Sequence, residues 1–459
     1  MLGLGKKLIS ILISLYEGHQ RRVKTIAGFT EWILCTVGVK QGCVLSPIIF
    51  ALFITELESR IKNLDVGVKI GGRKLGGLLF ADDLVLMAEN ASDLEKLVTT
   101  TDQFMRERRL EINVAKSGSM RVGRRRAEGL RVILKKGGKE EVMEDVNVYK
   151  YLGVKLGNNR LFGYHMDEVV RDIKWKIASL KAKAGDLSDI VAGTDILWKR
   201  AMRPALLYGA EVIVYTKAWV RKLEVAQNTV ARWITGTSNR ASRVGLRGEM
   251  GWRNMESEIW ERQLVYYGVI RNMGEDRWAK ILLNHVEGNQ PGSRWVEAVR
   301  QAMQEVGVEY TGQGVKQWRQ VVKKAVKEWN QQSWEVEKER NEKLEEYPKE
   351  ELGEREEYLN FSKGSKMFCK FRIGDVDEFN EEKCQACGVE TRDIRTHILT
   401  ECEQLVETRD EVEWVGTELQ PGEPGWLKDV LRERQNKKRI QQLGLAWKER
   451  GGQAGQRNN

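Results

Sequence analysis

The sequence predicts an α+β protein that is predominantly α-helical. In the first 160 residues, short apolar runs separated by glycine, asparagine and aspartate indicate strands and hairpins mixed with helices. From about residue 165 onward the apolar residues recur with a helical period, which predicts amphipathic helices. Near the C-terminus three cysteines and one histidine fall within nineteen residues, a density typical of a small metal-binding module.

Charge is unevenly distributed along the 459 residues, a length that accommodates two to four domains. Residues 1–330 contain 54 Lys and Arg against 37 Asp and Glu, a net charge of +17, whereas residues 331–459 carry a net charge of −7. The basic part favours a polyanionic partner such as nucleic acid, although solubility explains many individual lysines equally well.

Cysteine usage predicts a reducing intracellular compartment, nuclear or cytoplasmic, because six cysteines are too few for a disulfide scaffold in a chain of this length. The apolar run Leu8–Leu15 follows two lysines as in a signal peptide, but no cleavage site of small residues follows it. We interpret residues 4–16 as a core-facing helix and expect no secretion. No apolar run reaches the roughly eighteen residues of a membrane span, so no membrane partner is expected.

The next elements are a hairpin and a glycine-containing loop. Val23–Ile26 and Trp32–Val37 predict two short strands around a turn at Gly28. The loop contains Gln41 and Gly42: the glutamine amide both donates and accepts hydrogen bonds, and the glycine permits close approach of a ligand to the backbone. Ser46-Pro47 and the apolar run after them also fit an ordinary helix start.

Two adjacent aspartates, Asp82 and Asp83, lie between the apolar runs of Leu78–Met87. This pattern predicts a β-hairpin with buried strands and an Asp-Asp turn. Neighbouring carboxylates repel each other and are costly to bury, so the pair indicates a hard divalent cation such as Mg²⁺. Taken alone, the stretch fits an Asp-Asp turn without a metal as well.

Together these segments resemble the reverse transcriptases of non-LTR (LINE-type) retrotransposons. Gln41-Gly42 and Leu45-Ser46-Pro47 correspond to motif B of the polymerase palm, and Phe80-Ala81-Asp82-Asp83 corresponds to motif C. The resemblance implies that Asp82 and Asp83 bind Mg²⁺ or Mn²⁺. It further implies contacts to the RNA template, the DNA primer or the incoming deoxynucleoside triphosphate at Gln41, Gly42, Phe80 and Ala81.

Two further segments follow in the order of that family. A capping box at Ser92 and Glu95 predicts a helix start, and the alternating run Leu110–Ser117 then resembles motif D, which implies that Lys116 assists pyrophosphate departure as an acid or counter-charge. A lysine at a strand end is otherwise simply solvated.

After four arginines within residues 121–126 and a predicted hairpin over 131–143, Tyr149–Val154 is similar to motif E, the primer grip. The resemblance implies that Tyr151, Leu152 and Gly153 hold the primer end, while core packing is the alternative for the aromatic residues.

The helical part, residues 161–334, resembles the thumb and connection. Met166–Lys183 predicts one amphipathic helix with a basic side. Its basic residues are Arg171, Lys174, Lys176, Lys181 and Lys183. Residues 335–360 read as an acidic, solvated linker or helix, since residues 335–357 contain eleven glutamates; partner binding is the alternative.

The ligand pattern Cys384-x₂-Cys387-x₉-His397-x₄-Cys402 predicts a structural Zn²⁺ site within a module over residues 361–410. Accidental spacing is the alternative, and the pattern resembles the Cys-Cys-His-Cys segment downstream of many LINE-type polymerases. Residues 411–459 predict a basic helix over 431–450 and a disordered tail.

In the resembling family a fingers subdomain and motif A, which bears another catalytic aspartate, precede motif B. Residues 1–160 therefore predict a partial palm with motifs B to E. We expect this chain to be a fragment of an RNA-directed DNA polymerase, a two-metal nucleotidyltransferase, and to be catalytically incomplete on its own. The alternative is a non-catalytic nucleic-acid-binding remnant that uses the basic thumb and the zinc module.

Overall fold

A computed structural model of the chain describes residues 5–36, 38–123, 132–136, 139–288, 293–375, 383–391, 393–409, 414–421 and 423–457. Residues 124–126 of the arginine cluster and the turn residues Gly137 and Gly138 of the hairpin predicted over 131–143 lie outside these ranges. The chain divides into two compact units, Met1–Gly153 and Val154–Asn459. Most of the described secondary structure is helical and the sheets are small, which is consistent with the predicted α+β class.

Unit 1 begins with helix α1 (Lys6–Tyr16), none of whose residues is buried. The prediction of a core-facing helix is therefore wrong, because no described element covers its apolar side chains. Four short strands follow: β1 (Gln20–Arg21), β2 (Lys24–Thr25), β3 (Gly28–Phe29) and β4 (Ile33–Leu34). The strands pair antiparallel, β1 with β4 and β2 with β3. The hairpin prediction is therefore corrected: the predicted strands 23–26 and 32–37 do not pair with each other, and the turn lies at Ile26 and Ala27, with Gly28 in β3.

The remaining elements of unit 1 are α2 (Ser46–Asn63), β5 (Val68–Ile70), β6 (Arg73–Leu75), β7 (Gly77–Phe80), β8 (Asp83–Leu86), α3 (Ala91–Glu107), β9 (Gly118–Ser119), β10 (Val132–Lys136), β11 (Lys139–Asp145) and β12 (Val148–Tyr151). The core of the unit lies between helices α2 and α3, where Leu57 and Ile61 pack with Leu97 and Phe104. Strands β5 and β6 form one two-stranded antiparallel sheet and β7 and β8 form another, while β11 pairs with both β10 and β9.

Local side-chain hydrogen bonds correct two predictions in this unit. The N-cap of α3 is Asn90, whose side chain accepts a hydrogen bond from the backbone N–H of Asp93, so the capping box does not begin at Ser92. The strand predicted over residues 110–117 is also wrong, since Val114–Lys116 forms a 3₁₀ turn. There the Asn113 side chain accepts from the Lys116 N–H at 3.2 Å, and this local bond competes with strand pairing.

Unit 2 is a helical assembly built around three hydrophobic clusters. None of the described helices is both long and apolar enough to cross a bilayer. Its elements are β13 (Val154–Gly157), α4 (Gly163–Gly185), α5 (Ile190–Leu197), a π-helical turn (Trp198–Met202), α6 (Arg203–Leu206), α7 (Lys217–Thr235), α8 (Arg243–Met250), α9 (Met255–Arg271), α10 (Trp278–Gly288), α11 (Arg294–Val306), α12 (Val315–Glu339), a 3₁₀ turn (Glu342–Leu344), α13 (Lys363–Ile373), α14 (Ile394–Thr400), a 3₁₀ turn (Glu403–Leu405), α15 (Val406–Arg409), α16 (Trp426–Arg432), a 3₁₀ turn (Arg434–Asn436) and α17 (Lys437–Arg457).

Tryptophan packing holds the helices of unit 2 together. Trp198 stacks on Trp252 at a centroid distance of 5.3 Å in the first cluster. In the second cluster the Trp318 indole N–H of α12 donates to the Leu264 carbonyl of α9 at 2.7 Å. Gly268 faces that indole so closely that an added Cβ would lie 1.9 Å from it, so a glycine is required where α9 meets α12.

Residues 335–360 do not form the solvated linker predicted from their composition. Helix α12 continues to Glu339, and Leu344, Tyr347 and Leu359 are buried in the first cluster. Burial of a few apolar residues therefore outweighs the many glutamates between them. The C-terminal prediction also changes, because the last helix begins at Lys437 and continues through residues 451–457, which were predicted to be a disordered tail.

A buried ion pair joins the first cluster to the C-terminal part of unit 2. The Arg372 Nε of α13 donates to a Glu249 carboxylate oxygen of α8 at 2.9 Å, and both side chains are buried. The Tyr358 hydroxyl donates to the other Glu249 oxygen, and an Arg372 guanidinium N–H donates to the Leu431 carbonyl at 3.2 Å. Both charged groups are thus satisfied within the protein.

We expect Glu249→Ala to lower the free energy of unfolding by about 3–5 kcal/mol, because the change leaves the Arg372 charge buried without its partner. Chemical denaturation of the full chain measures this effect. The double variant Glu249→Met/Arg372→Met should recover most of the loss, since apolar replacement of a buried ion pair is often neutral. Equal destabilisation by the single and double variants would contradict an electrostatic origin.

Candidate functional site

The β7–β8 hairpin presents the two adjacent aspartates at its tip. Phe80 and Asp83 are cross-strand partners, so the turn residues are Ala81 and Asp82. Ala81 adopts a left-handed backbone conformation with φ = +53°, as tight hairpin turns require. The prediction that both aspartates occupy the turn is corrected, since Asp83 is the first residue of β8.

Both aspartate side chains are exposed, and Phe80 is 63% exposed. The hairpin strands are partly exposed instead of buried, so the cost of burying charge is no reason to infer a cation here. What remains is the donor set: two adjacent carboxylates offer the oxygen ligands that Mg²⁺ takes, with water or substrate phosphates completing the coordination. In the part of the chain that the structure describes, no third His, Cys, Asp or Glu forms a metal-binding group with them.

Tyr151 of β12 is influenced electrostatically by Asp83. Burial, and then the negative charge of Asp83, raise the pKa of the Tyr151 phenol. Leu152 (φ = +46°) and Gly153 (φ = +83°) follow with left-handed conformations, which turns the chain directly after this tyrosine. The charge of Asp83, a predicted motif C carboxylate, therefore acts on the predicted primer-grip tyrosine within unit 1.

Lys116 and the Gln41-Gly42 loop are positioned separately. The Tyr149 hydroxyl of β12 donates to the Lys116 carbonyl at 2.9 Å, while the Lys116 side chain is exposed. In the loop, the Ser46 hydroxyl donates to the Lys40 carbonyl at 2.6 Å, and Gly42 has φ = +83°. Gln41 and Gly42 are exposed, and no described contact joins them or Lys116 to the aspartates.

The four predicted zinc ligands converge at the start of the C-terminal cluster. Their ligand atoms all lie within 4.8 Å of one another. The Sγ atoms of Cys384 and Cys402 are 3.8 Å apart, and Cys387 Sγ lies 3.2 Å from His397 Nε2. With sulfur about 2.3 Å from a tetrahedral zinc, two sulfur ligands lie about 3.8 Å apart. The arrangement fits Zn²⁺.

Neighbouring groups orient and polarise these ligands. Burial raises the pKa of Cys402 to about 12, and the Cys384 thiolate adds to this increase. At Cys384 burial is outweighed by donors, including the Cys387 backbone N–H and the Trp447 indole N–H, which lower its pKa to about 7. His397 Nδ1 lies 3.4 Å from a Glu401 oxygen, the outer contact typical of metal-bound histidine.

Helix α4 confirms the predicted amphipathic pattern and adds an exposed tryptophan that sequence reasoning missed. Val169, Ile177 and Leu180 are buried. Arg171 and Lys174 are exposed on one turn, and the neighbouring Trp175 is 73% exposed. The sequence did contain a signal for it: Trp175 is an aromatic residue on the polar side of the helix, outside the repeating pattern of apolar positions.

Comparison with known proteins identifies the first third of the chain. Residues 6–156 match the family described as reverse transcriptase (RNA-dependent DNA polymerase). The chain is 25% identical over 273 residues to a putative uncharacterized transposon-derived protein of Caenorhabditis elegans, covering 56% of this chain and 94% of that protein.

Further relatives come from retrotransposable and mobile elements. A Pol polyprotein from the type-1 element R2 of Nasonia vitripennis is 32% identical over 21% of this chain and 9% of its own length. The RNA-directed DNA polymerase of the mobile element jockey of Drosophila melanogaster is 21% identical over 48% of this chain and 23% of its own length. The chain thus matches under a quarter of each of these two relatives.

Proposed function

We propose that this chain, which belongs to the LINE-type (non-LTR) reverse transcriptases, forms part of an RNA-directed DNA polymerase that extends a DNA primer on an RNA template. The observation that carries the proposal is the β7–β8 hairpin, which presents the exposed Asp82 and Asp83 at its tip within the segment 6–156 that matches the reverse transcriptase family. A polymerase must hold the primer end next to its metal-binding carboxylates, and the electrostatic influence of Asp83 on the Tyr151 phenol supports a primer-holding role for that tyrosine.

We assign a role to each predicted site residue of the palm segment. Asp82 and Asp83 supply carboxylate oxygens for Mg²⁺ or Mn²⁺, which when bound activates the primer hydroxyl and stabilises the leaving pyrophosphate. Tyr151, Leu152 and Gly153 position the primer end. Phe80 and Ala81 present the metal ligands, Gln41 and Gly42 contact the template or the incoming deoxynucleotide, and Lys116 supplies positive charge toward the triphosphate.

The helical and C-terminal parts support binding. The proposed zinc is structural, since three thiolates and one imidazole fill a tetrahedral site and leave no position for a reacting water. All six cysteines are free thiols, and the three thiol ligands must stay reduced to bind the ion, so we assign the protein to a reducing nuclear or cytoplasmic compartment. The partners are an RNA template, a DNA primer or target and deoxynucleoside triphosphates.

A second candidate function is nucleic-acid binding without catalysis. It is favoured by the exposed aspartate pair, which no third carboxylate joins in the described ranges. Polymerisation by the chain separates the two candidates, and both require binding to nucleic acid.

We expect the full chain to bind an RNA–DNA duplex with an affinity that falls steeply with salt, because the exposed Arg171 and Lys174 of α4 contact the duplex phosphates. The double variant Arg171→Gln/Lys174→Gln should reduce the slope of log K against log salt by about 1.8, or about 0.9 per lost phosphate contact. Fluorescence anisotropy between about 50 and 200 mM salt measures the slope.

The matched control for this measurement is Lys323→Gln/Lys324→Gln on the exposed side of α12, which removes the same charge. An equal loss of slope in both double variants would indicate binding through net charge alone. A salt-independent affinity would contradict phosphate recognition.

A further inference from the structure

Four side chains in unit 2 form a continuous line of two adjacent rings between two cations, which we call the basic-aromatic strip: Lys181, Trp233, Phe361 and Lys366. The Lys181 ammonium lies 5.5 Å from the Trp233 ring centroid, and the Trp233 and Phe361 centroids are 5.4 Å apart. The Lys366 ammonium lies 3.5 Å from the Phe361 centroid. Each contact is within the range of cation–π or aromatic pairing.

Three separate elements hold the strip in place. Lys181 is on α4, Trp233 is on α7, and Phe361 and Lys366 flank the start of α13. Helix α7 ends at Gly236, whose φ is +65°, and the aliphatic stem of Lys366 lies against it: an added Cβ would lie 2.5 Å from the Lys366 Cδ. The position of the Lys366 ammonium is therefore fixed by packing.

The strip reaches the surface. Phe361 is 36% exposed, and Lys181, Trp233 and Lys366 are half-buried. Aromatic rings at a surface between two cations offer a flat apolar face together with positive charge, whereas a core aromatic residue is enclosed by other apolar groups.

The positive charge of the strip is not neutralised by carboxylates. Within the described residues, neither Lys181 nor Lys366 takes part in an ion pair with Asp or Glu. Burial, and then the positive charge of Lys370, lower the pKa of Lys366. Nearby on α7, burial and the charge of Arg243 lower the pKa of Arg232. Positive groups gathered in this way favour an anionic ligand.

We propose that the basic-aromatic strip binds single-stranded nucleic acid, with phosphates at Lys181 and Lys366 and an unpaired base against the exposed ring of Phe361. Single-strand binding surfaces combine backbone-tracking cations with aromatic platforms, and a base reaches such a platform only when it is unpaired. The inference deepens the proposed function, on which it rests, because it gives the strand that leaves the duplex a path from the basic helix α4 toward the zinc module.

The test compares three probes bound to the full chain: a blunt RNA–DNA duplex, the same duplex with a single-stranded extension, and a single-stranded oligonucleotide alone. The variant is Lys181→Gln/Lys366→Gln, and the control is Lys323→Gln/Lys324→Gln on α12. We expect the strip variant to bind the oligonucleotide about 10-fold more weakly and to lose about 1.4 from its salt slope, at about 0.7 per phosphate contact on single strands. Its affinity for the blunt duplex should stay within about twofold of the parent.

Phe361→Leu provides a second test that leaves the charge unchanged. It should weaken oligonucleotide binding without changing the salt slope, since stacking and not phosphate contact is lost. Thermal unfolding of each variant checks that α7 and α13 remain folded.

The proposal is overturned if the parent and the Lys181→Gln/Lys366→Gln variant bind the oligonucleotide with equal affinity. It is also overturned if the variant loses the same factor of affinity for the blunt duplex as for the oligonucleotide. If the parent chain does not bind the blunt duplex, that result contradicts the proposed polymerase function. It leaves the proposal for the basic-aromatic strip open to test, because that proposal is tested with the oligonucleotide.

Discussion

The variant Cys387→Ser is expected to lose its zinc and to unfold the C-terminal cluster of unit 2. Apparent binding free energies of structural zinc reach about 10–16 kcal/mol, similar to or larger than the whole stability of a domain of about 5–15 kcal/mol. Cys384 and Cys402 are buried within that cluster, and the Trp447 indole donates to the Cys384 sulfur at 3.3 Å. Removing one ligand therefore leaves buried thiols without the ion that they surround.

Metal analysis of the full chain should find one zinc per chain in the parent and none in the variant. Hydrogen exchange should show lost protection in α14 and α17 and unchanged protection in α9 and α12, whose cluster lies apart from the site. Cys35→Ser is the matched control, since this cysteine lies in unit 1 and is not a ligand. A parent chain without zinc that shows the same protection in α14 and α17 would refute the assignment.

The cluster of three cysteines and one histidine and the helix α4 were both predictable, because local sequence spacing determines each of them. Four ligand atoms must meet at one ion, so the sequence spacing of Cys384, Cys387, His397 and Cys402 is enough to predict that these side chains come together. An amphipathic helix repeats its buried positions every three to four residues, and Val169, Ile177 and Leu180 follow that rule.

Other features depend on contacts between distant residues and left no local signal. Composition predicted a solvated linker where Leu344, Tyr347 and Leu359 pack into a core, because an average over a segment hides a few buried positions. Lys181 and Lys366 are 185 positions apart in the sequence, and their common strip exists only after α4, α7 and α13 pack. The exposure of Asp82 and Asp83 was also unpredictable, since an apolar strand pattern does not say what covers the strand.

A polypeptide of these 459 residues is expected not to extend a primer, although it carries Asp82 and Asp83, which we propose as ligands of the polymerase metal ions. A two-metal site holds its ions about 3.5–4 Å apart, one at the attacking hydroxyl and one at the leaving group. Asp82 and Asp83 are neighbours at one hairpin tip, so their oxygens approach the ions from one side only. Within the described part of the chain, no third ligand residue faces them.

The experiment is primer extension on an RNA template with Mg²⁺ or Mn²⁺. The duplex-binding assay is run in parallel to show that the chain is folded and bound to the primer–template. A chimera in which the motif A strand and fingers of a LINE-type polymerase precede residue 1 should restore extension, and Asp83→Asn in that chimera should abolish it. This pattern means that Asp82 and Asp83 need a carboxylate from a neighbouring strand. Extension by the 459-residue chain that disappears with Asp82→Ala would reject the prediction and show that another carboxylate of this chain completes the site.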